Sequence, residues 1–306
     1  MARQSNAGSR VARRNLDCRP IEYDWTSRGR DGVQSSPIPA FITIGHAIDL
    51  GIAGRKAIVC ASSRGLGRAC ARALAEAGCE VTVNGRDGKA LEQTAAELRQ
   101  ATDAKVTAVQ ADVATPEGQA ALLSACPEPD ILVNNNAGPP FRDFRQLTRA
   151  QMLEGVIANM VVAVELTQKV IDPMTARKFG RIVNITSGSV KMPLSGLDLS
   201  SGARAGLTAF MAGVARSVAG SNVTINFLLP GTFDTDRLQS NIVANAKNRG
   251  ISVDQAKAER MATVPAKRFG TPDEFGAACA FLCSAQAGYI TGQNLLIDGG
   301  AFPGAM

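Results

Sequence analysis

From residue 55 onward the hydrophobic positions fall into two alternating kinds of run. Short apolar blocks at 56–60, 80–84, 106–110, 131–133, 181–185, 223–229 and 294–297 have the length and bounds of buried strands. Between them lie longer stretches with helical spacing. One covers 66–77 and is stopped by Gly78; another covers 89–100, where Leu91, Ala95 and Leu98 share a face. Thr115-Pro116 opens a third helix, with a cap residue followed by proline. Further helices are predicted over 148–177, loosened near Pro173, and over 200–219. A polar and largely helical insertion follows at 236–263. Thr271-Pro272-Asp273-Glu274 is a capping box that opens the last helix. Strands alternating with helices over this length predict an α/β fold of Rossmann type, a doubly wound parallel sheet in a single domain spanning 48–306.

Residues 1–47 have no such periodicity. They carry scattered Arg, Ser, Gly and Pro and are expected to form a disordered N-terminal extension. This segment holds seven arginines and four acids, so half of the net charge of +6 sits there. The remaining 26 basic and 23 acidic residues nearly balance, and no basic stripe with interleaved aromatics appears, so nucleic acid is not an expected partner. No stretch was expected to reach the roughly 18 apolar residues that span a bilayer, so a membrane is not an expected partner either.

The chain has 1 His, His46, before the first strand, and 2 Tyr, Tyr23 and Tyr289. A Ser-His-Asp triad or a His-ligated zinc site would need that histidine inside a folded pocket. The 7 Cys contain no CxxC pair, and Cys279 and Cys283 share a helix face suited to core packing. The odd count predicts reduced thiols and a cytoplasmic location, and no metal site is expected.

Ala61-Ser62-Ser63-Arg64-Gly65-Leu66-Gly67 joins the first strand to the first helix. A glycine turn at a helix N-terminus lets backbone N–H groups approach a diphosphate, so Ala61, Ser63, Arg64, Gly65, Leu66 and Gly67 are candidate dinucleotide contacts. An acid ending the second strand would select the ribose hydroxyl of NAD. Here the strand runs into Asn84-Gly85-Arg86, and Arg64 can reach the same space, so NADP(H) is expected over NAD(H).

With these residues in view, the chain resembles the short-chain dehydrogenase/reductase family, and within it the 3-oxoacyl-carrier-protein reductases. Cys60-Ala61 stand where the family fingerprint has Thr-Gly, and Gly65 and Gly67 match. Asp112, with Val113 after it, resembles the family's adenine contact. Asn134-Asn135-Asn136-Ala137-Gly138 resembles its NNAG motif in either of two registers, with Asn135, Asn136 and Ala137 implied as cofactor contacts. Pro230, Gly231, Thr232 and Thr235 resemble the segment at the nicotinamide end, and Asp298-Gly299-Gly300 the C-terminal signature.

The resemblance also implies a catalytic Ser, matched by Ser187, and a YxxxK pair on the next helix. Ser200 and Arg204 occupy those two positions, which suggests an atypical branch lacking the pair. Ser is shorter than Tyr and far less acidic, so Ser200 cannot simply inherit its role. Arg204 keeps a cation for ribose hydroxyls. Lys191, four residues after Ser187, is a candidate proton donor, and Asn159 matches the residue that anchors a relay water. The expected activity is NADPH-dependent reduction of a small carbonyl compound, or oxidation of the alcohol. Ser187 would polarise the oxygen and Lys191 or water would supply the proton. Two alternatives remain: a non-redox, dehalogenase- or lyase-like enzyme on the same fold, and a catalytically silent NADP-binding or scaffold protein. Family resemblance further implies a homodimer or homotetramer paired through the helices at 148–177 and 200–219.

Overall fold

The computed structural model describes residues 48–304. The predicted extension over 1–47, together with Cys18, Tyr23 and His46, lies outside the described residues.

Seven strands form one parallel sheet in the order β3-β2-β1-β4-β5-β6-β7. They are β1 (Lys56–Val59), β2 (Glu80–Gly85), β3 (Val106–Gln110), β4 (Ile131–Asn134), β5 (Gly180–Ile185), β6 (Val223–Pro230) and β7 (Asn294–Ile297). The helices are α1 (Gly65–Glu76), α2 (Gly88–Ala101), α3 (Pro116–Ala125), α4 (Arg149–Val156), α5 (Val162–Ala176), α6 (Asp198–Val218), α7 (Asp236–Arg249), α8 (Val253–Ala262) and α9 (Pro272–Cys283).

Strand alternation sorts the core into two layers. Ala57 and Val59 of β1 face α1, α2 and α9, packing with Leu74, Leu91 and Phe275. Ile58 and Cys60 face the other way, towards α3, α5 and α6, packing with Leu122, Leu166 and Leu207. A sheet buried on both faces explains why its strands read as unbroken apolar blocks. Cys279 and Cys283 are buried in the first layer, as their shared face predicts. The insertion folds as α7 and α8 around a small core of its own, Ile242, Ala246, Ala256 and Phe269.

β1 pairs with β2 on one side and β4 on the other, so the chain reverses direction across the sheet there. A crevice opens beyond the carboxyl ends of strands at such a switch point.

Two expectations change. The helix predicted over 148–177 is not loosened near Pro173, which sits in its last turn. It widens instead into a π turn at Ile157–Val161, between α4 and α5. The same continuous helix, Arg149–Ala176, does contain an 18-residue window of mean hydropathy 1.3, so it passes the length and composition test for a membrane span. Val162, Leu166, Val170 and Met174 spend part of that apolar surface on the sheet.

Candidate functional site

The crevice is bounded on one side by the β1–α1 loop. Ala61 adopts φ 45° and Gly65 φ 59°, which coil the loop beneath the N-terminus of α1. A Cβ on Gly67 would lie 2.5 Å from the Ala61 carbonyl oxygen and 2.9 Å from Asn135 Nδ2, so only glycine lets the turn close. Ala61 stands at a left-handed position that glycine fills without strain.

Two side chains outside the motif hold this loop. Buried Asn84 accepts from the Ala61 N–H at 3.3 Å and donates to the carbonyls of Val109 and Ala111, both at 3.1 Å. Buried Ser62 donates to the Val59 carbonyl and accepts from the Asn84 N–H. Sequence reading passed over both; the signal available was a polar residue ending an otherwise apolar strand. From the other side, Asn135 donates to the Ala61 carbonyl at 3.2 Å. Asn134 is buried at the end of β4 and donates to Asn184 Oδ1. Asn136 and Ala137 turn to the crevice wall, which separates the roles left open by the two registers.

A cavity of about 260 Å³ lies beyond β2 and β3, lined by Ser63, Gly85, Arg86, Asp112, Val113 and Ala137 among others. Arg86 lines it, and Arg64 is tied to it through the lining residue Asp87. Arg64 pairs with Asp87 at 2.8 Å, and Arg86 lies 3.7 Å from Asp112. A larger space of about 740 Å³ continues from it along α4. Cys60, at the floor, is fully buried, and burial pushes its thiol up to about 12.

The other side of the crevice is built by β5, β6 and α6. Ser187 follows β5 with its Oγ accepting from the Ser189 N–H at 3.1 Å, which leaves its own proton free to donate. Pro230 ends β6. A Cβ on Gly231 would lie 2.5 Å from the Asp298 Cβ, so the C-terminal signature packs against this turn. Thr232 accepts a long bond from Arg260 at 3.5 Å. Thr235 caps α7, and its methyl is 3.9 Å from the Cβ position of Gly65, over the phosphate loop.

Ser200 and Arg204 lie on the buried face of α6, one turn apart. Arg204 Nε donates to Ser200 Oγ at 3.2 Å, and Nη1 to the Ile185 carbonyl at 2.8 Å. Burial, with a smaller contribution from nearby Arg237, holds the Arg204 guanidinium down to about 10. Asn159 sits in the π turn. Its amide donates to the Gly155 carbonyl, while its Oδ1 is buried without a partner among the described residues. A void of about 20 Å³ beside it, also touched by Asn136 and Arg204, is the size of one water. Lys191 does not join Ser187 by a hydrogen bond; its ammonium lies 5.7 Å from the centre of the Phe302 ring. Tyr289 is fully exposed, in a turn beside Arg181 at the opposite end of β5.

Residues 60–301 match the family described as Enoyl-(Acyl carrier protein) reductase. The chain is 31% identical over 260 residues to the 3-oxoacyl-[acyl-carrier-protein] reductase FabG of Vibrio cholerae, covering 83% of this chain and 99% of that one. It is 29% identical over 252 residues to the NADPH-dependent reductase BacG of Bacillus subtilis, covering 81% and 97%. Among solved structures it is similar to L-sorbose reductase from Gluconobacter frateurii complexed with NADPH and L-sorbose. There the TM-score is 0.80 at 28% identity, with 84% of this chain and all of that one covered.

Proposed function

Because the chain belongs to the short-chain dehydrogenase/reductase family, we propose that it is an NADPH-dependent reductase of a small carbonyl compound. The observation that carries this reading is the shared crevice, with the glycine loop on one wall and the Ser187 hydroxyl on the other.

The residues present fit the cofactor. The Gly65–Gly67 turn, closed because Gly67 carries no Cβ, suits a diphosphate at the positive end of α1. The adjoining cavity suits an adenosine, with Asp112 and Val113 on its wall and Arg64 and Arg86 placed for a 2′-phosphate. β2 ends in Gly85 rather than in an acid, which favours NADPH over NADH. Asp87 and Asp112 offset the two arginines in part, so the preference rests on a phosphate outcompeting two exposed ion pairs. Thr232 and Thr235 are read as contacts for the nicotinamide end of the cofactor. When bound, NADPH supplies the hydride.

The chain itself supplies polarisation and positioning. Ser187 donates a hydrogen bond to the substrate oxygen, and the Ser189 N–H orients the donor. Arg204 stays cationic and contributes field; a guanidinium does not give up its proton in a protein. The proton comes from water held at Asn159, with Lys191 at the mouth as the other candidate. Ser200 accepts from Arg204 and its hydroxyl is far less acidic than the phenol of a tyrosine, so a donor other than residue 200 is part of this reading.

The same weakly acidic hydroxyl at position 200 favours a second reading, a protein that binds NADPH and turns nothing over. Purified protein incubated with NADPH and a broad carbonyl panel separates the two. Consumption of reduced nicotinamide, falling about a hundredfold in Ser187→Ala, supports the reductase. Tight NADPH binding without consumption across the panel supports the silent protein. A homodimer or homotetramer paired through α5 and α6 is part of the same proposal and is read by sedimentation.

A further inference from the structure

Arg204 is 7% exposed, yet both of its hydrogen-bond partners are neutral, a hydroxyl and a backbone carbonyl. Among the described residues no carboxylate pairs with it, and its Nη2 has no acceptor. The charged group that acts on it is a second cation, Arg237, in the first turn of α7. The two guanidiniums converge on one spot. A Cβ built on Gly138 would lie 3.6 Å from Arg204 Nη2, and 3.5 Å and 3.6 Å from the two Nη atoms of Arg237. Gly138 has no side chain, so no side-chain atom of its own fills that point, which lies within contact distance of all three Nη atoms.

Burying an uncompensated guanidinium is costly, and placing a like charge beside it adds to the cost. Such an arrangement is neutralised when an anion enters it. Two planar forks facing one gap match the geometry of a carboxylate, whose oxygens accept paired N–H bonds.

A cofactor diphosphate is the other source of oxyanions nearby. Its cradle lies at Gly65–Gly67, with Thr235 above it. The arginine pair lies past the end of β4, against the Ile185 carbonyl, two residues before Ser187. That is the side of the crevice where the reacting carbonyl belongs.

We propose that Arg204 and Arg237 form a clamp over Gly138 for the carboxylate of the substrate, so that the compound reduced is an oxo acid. This rests on the reductase reading above and narrows it to a substrate class. α7 carries Arg237 on its first turn, so the insertion contributes directly to recognition.

The test uses the full chain with Arg237→Ala and Arg237→Lys, since Arg237 is exposed and its removal leaves the core intact. Calorimetry measures binding of NADPH, and then of oxamate, a non-reducible 2-oxo acid analogue, alongside its neutral ethyl ester. Rates are measured on 2-, 3- and 4-oxo acids and their methyl esters. The clamp predicts that oxamate binds and its ester does not. Arg237→Ala should weaken oxamate by about tenfold or more, Arg237→Lys by less, and NADPH affinity should stay unchanged. An NADPH affinity that falls in step with oxamate affinity overturns the proposal and assigns the pair to the cofactor. So does an absence of oxamate binding, or binding indifferent to Arg237. Acids and esters reduced equally well leave the reductase standing and remove the clamp. Arg237-dependent oxamate binding with no carbonyl reduced anywhere keeps the anion site and removes the reductase.

Discussion

The two walls of the crevice solve opposite problems. On the phosphate side, polar groups are satisfied within the protein: Asn84 makes three side-chain hydrogen bonds, and Ser62 both donates and accepts. Its glycines leave backbone N–H groups to face outwards. On the β4–β5–α6 side, Asn134 Oδ1, Asn159 Oδ1, Asn184 Nδ2, Ser189 Oγ and Ser201 Oγ are buried without partners among the described residues, and Arg204 is buried without a counter-ion among them. Groups of this kind cost about 1–3 kcal/mol each unless a water or a ligand completes them. The phosphate wall is shaped for a ligand and complete without it. The reaction wall is polar in places that only a ligand or ordered water completes.

The comparison can be broken by disturbing each wall in turn. The largest effect is expected from Asn84→Leu, which strands the Ala61 N–H and the carbonyls of Val109 and Ala111. It should lower unfolding stability by about 3 kcal/mol in a denaturant titration. An unchanged midpoint would mean that the loop holds its shape without Asn84. Next comes Gly67→Ala, whose methyl meets the Ala61 carbonyl oxygen at 2.5 Å. About 2 kcal/mol of overpacking should appear, with NADPH binding weakened by more than tenfold.

Arg204→Met should behave in the reverse sense. Removing a buried, uncompensated cation should raise the stability of the ligand-free protein by about 1 kcal/mol while turnover falls. Loss of stability there would show that Arg204 is a structural strut and that the two walls do not differ as described. Alkaline pH offers a graded probe of the phosphate wall. The Cys60 thiol sits near 12 when folded, against an ordinary value of 9.0, so the folded state keeps a proton that the unfolded chain releases. Its contribution is present in full below pH 9 and is lost progressively as pH rises towards 12. Cys60→Ala should flatten that part of the stability–pH curve. The smallest effect is expected from Ala61→Gly, which relaxes φ 45°. It should stabilise by about 0.5 kcal/mol and leave NADPH affinity the same or slightly tighter.

Much of this was legible in the residues alone. Strand blocks, capping residues and the Gly65 and Gly67 turn are local signals, because backbone dihedrals and burial period are written over a few neighbouring positions. They were enough for the fold, and for most of the phosphate wall. Asn84 escaped notice because its partners are 23 to 27 residues away. Lys191 is a donor candidate by its spacing from Ser187, and the Phe302 ring 5.7 Å from its ammonium comes from far off in the chain. The π turn at Asn159 had no signature, since the residues around it read as ordinary helix.

The charges divide in the same way. The chain by itself determined which cations exist, that its Tyr count leaves residue 200 a serine, and that a doubly wound sheet brings the loop ends together. Only the tertiary structure decided that Arg64 meets Asp87 and Arg86 meets Asp112, while Arg204 meets no acid among the described residues and shares contact with Arg237 at Gly138. The reason is physical: a dihedral preference is settled within a turn of chain, whereas the neutralisation of a charge depends on what folding carries to within a few ångströms of it.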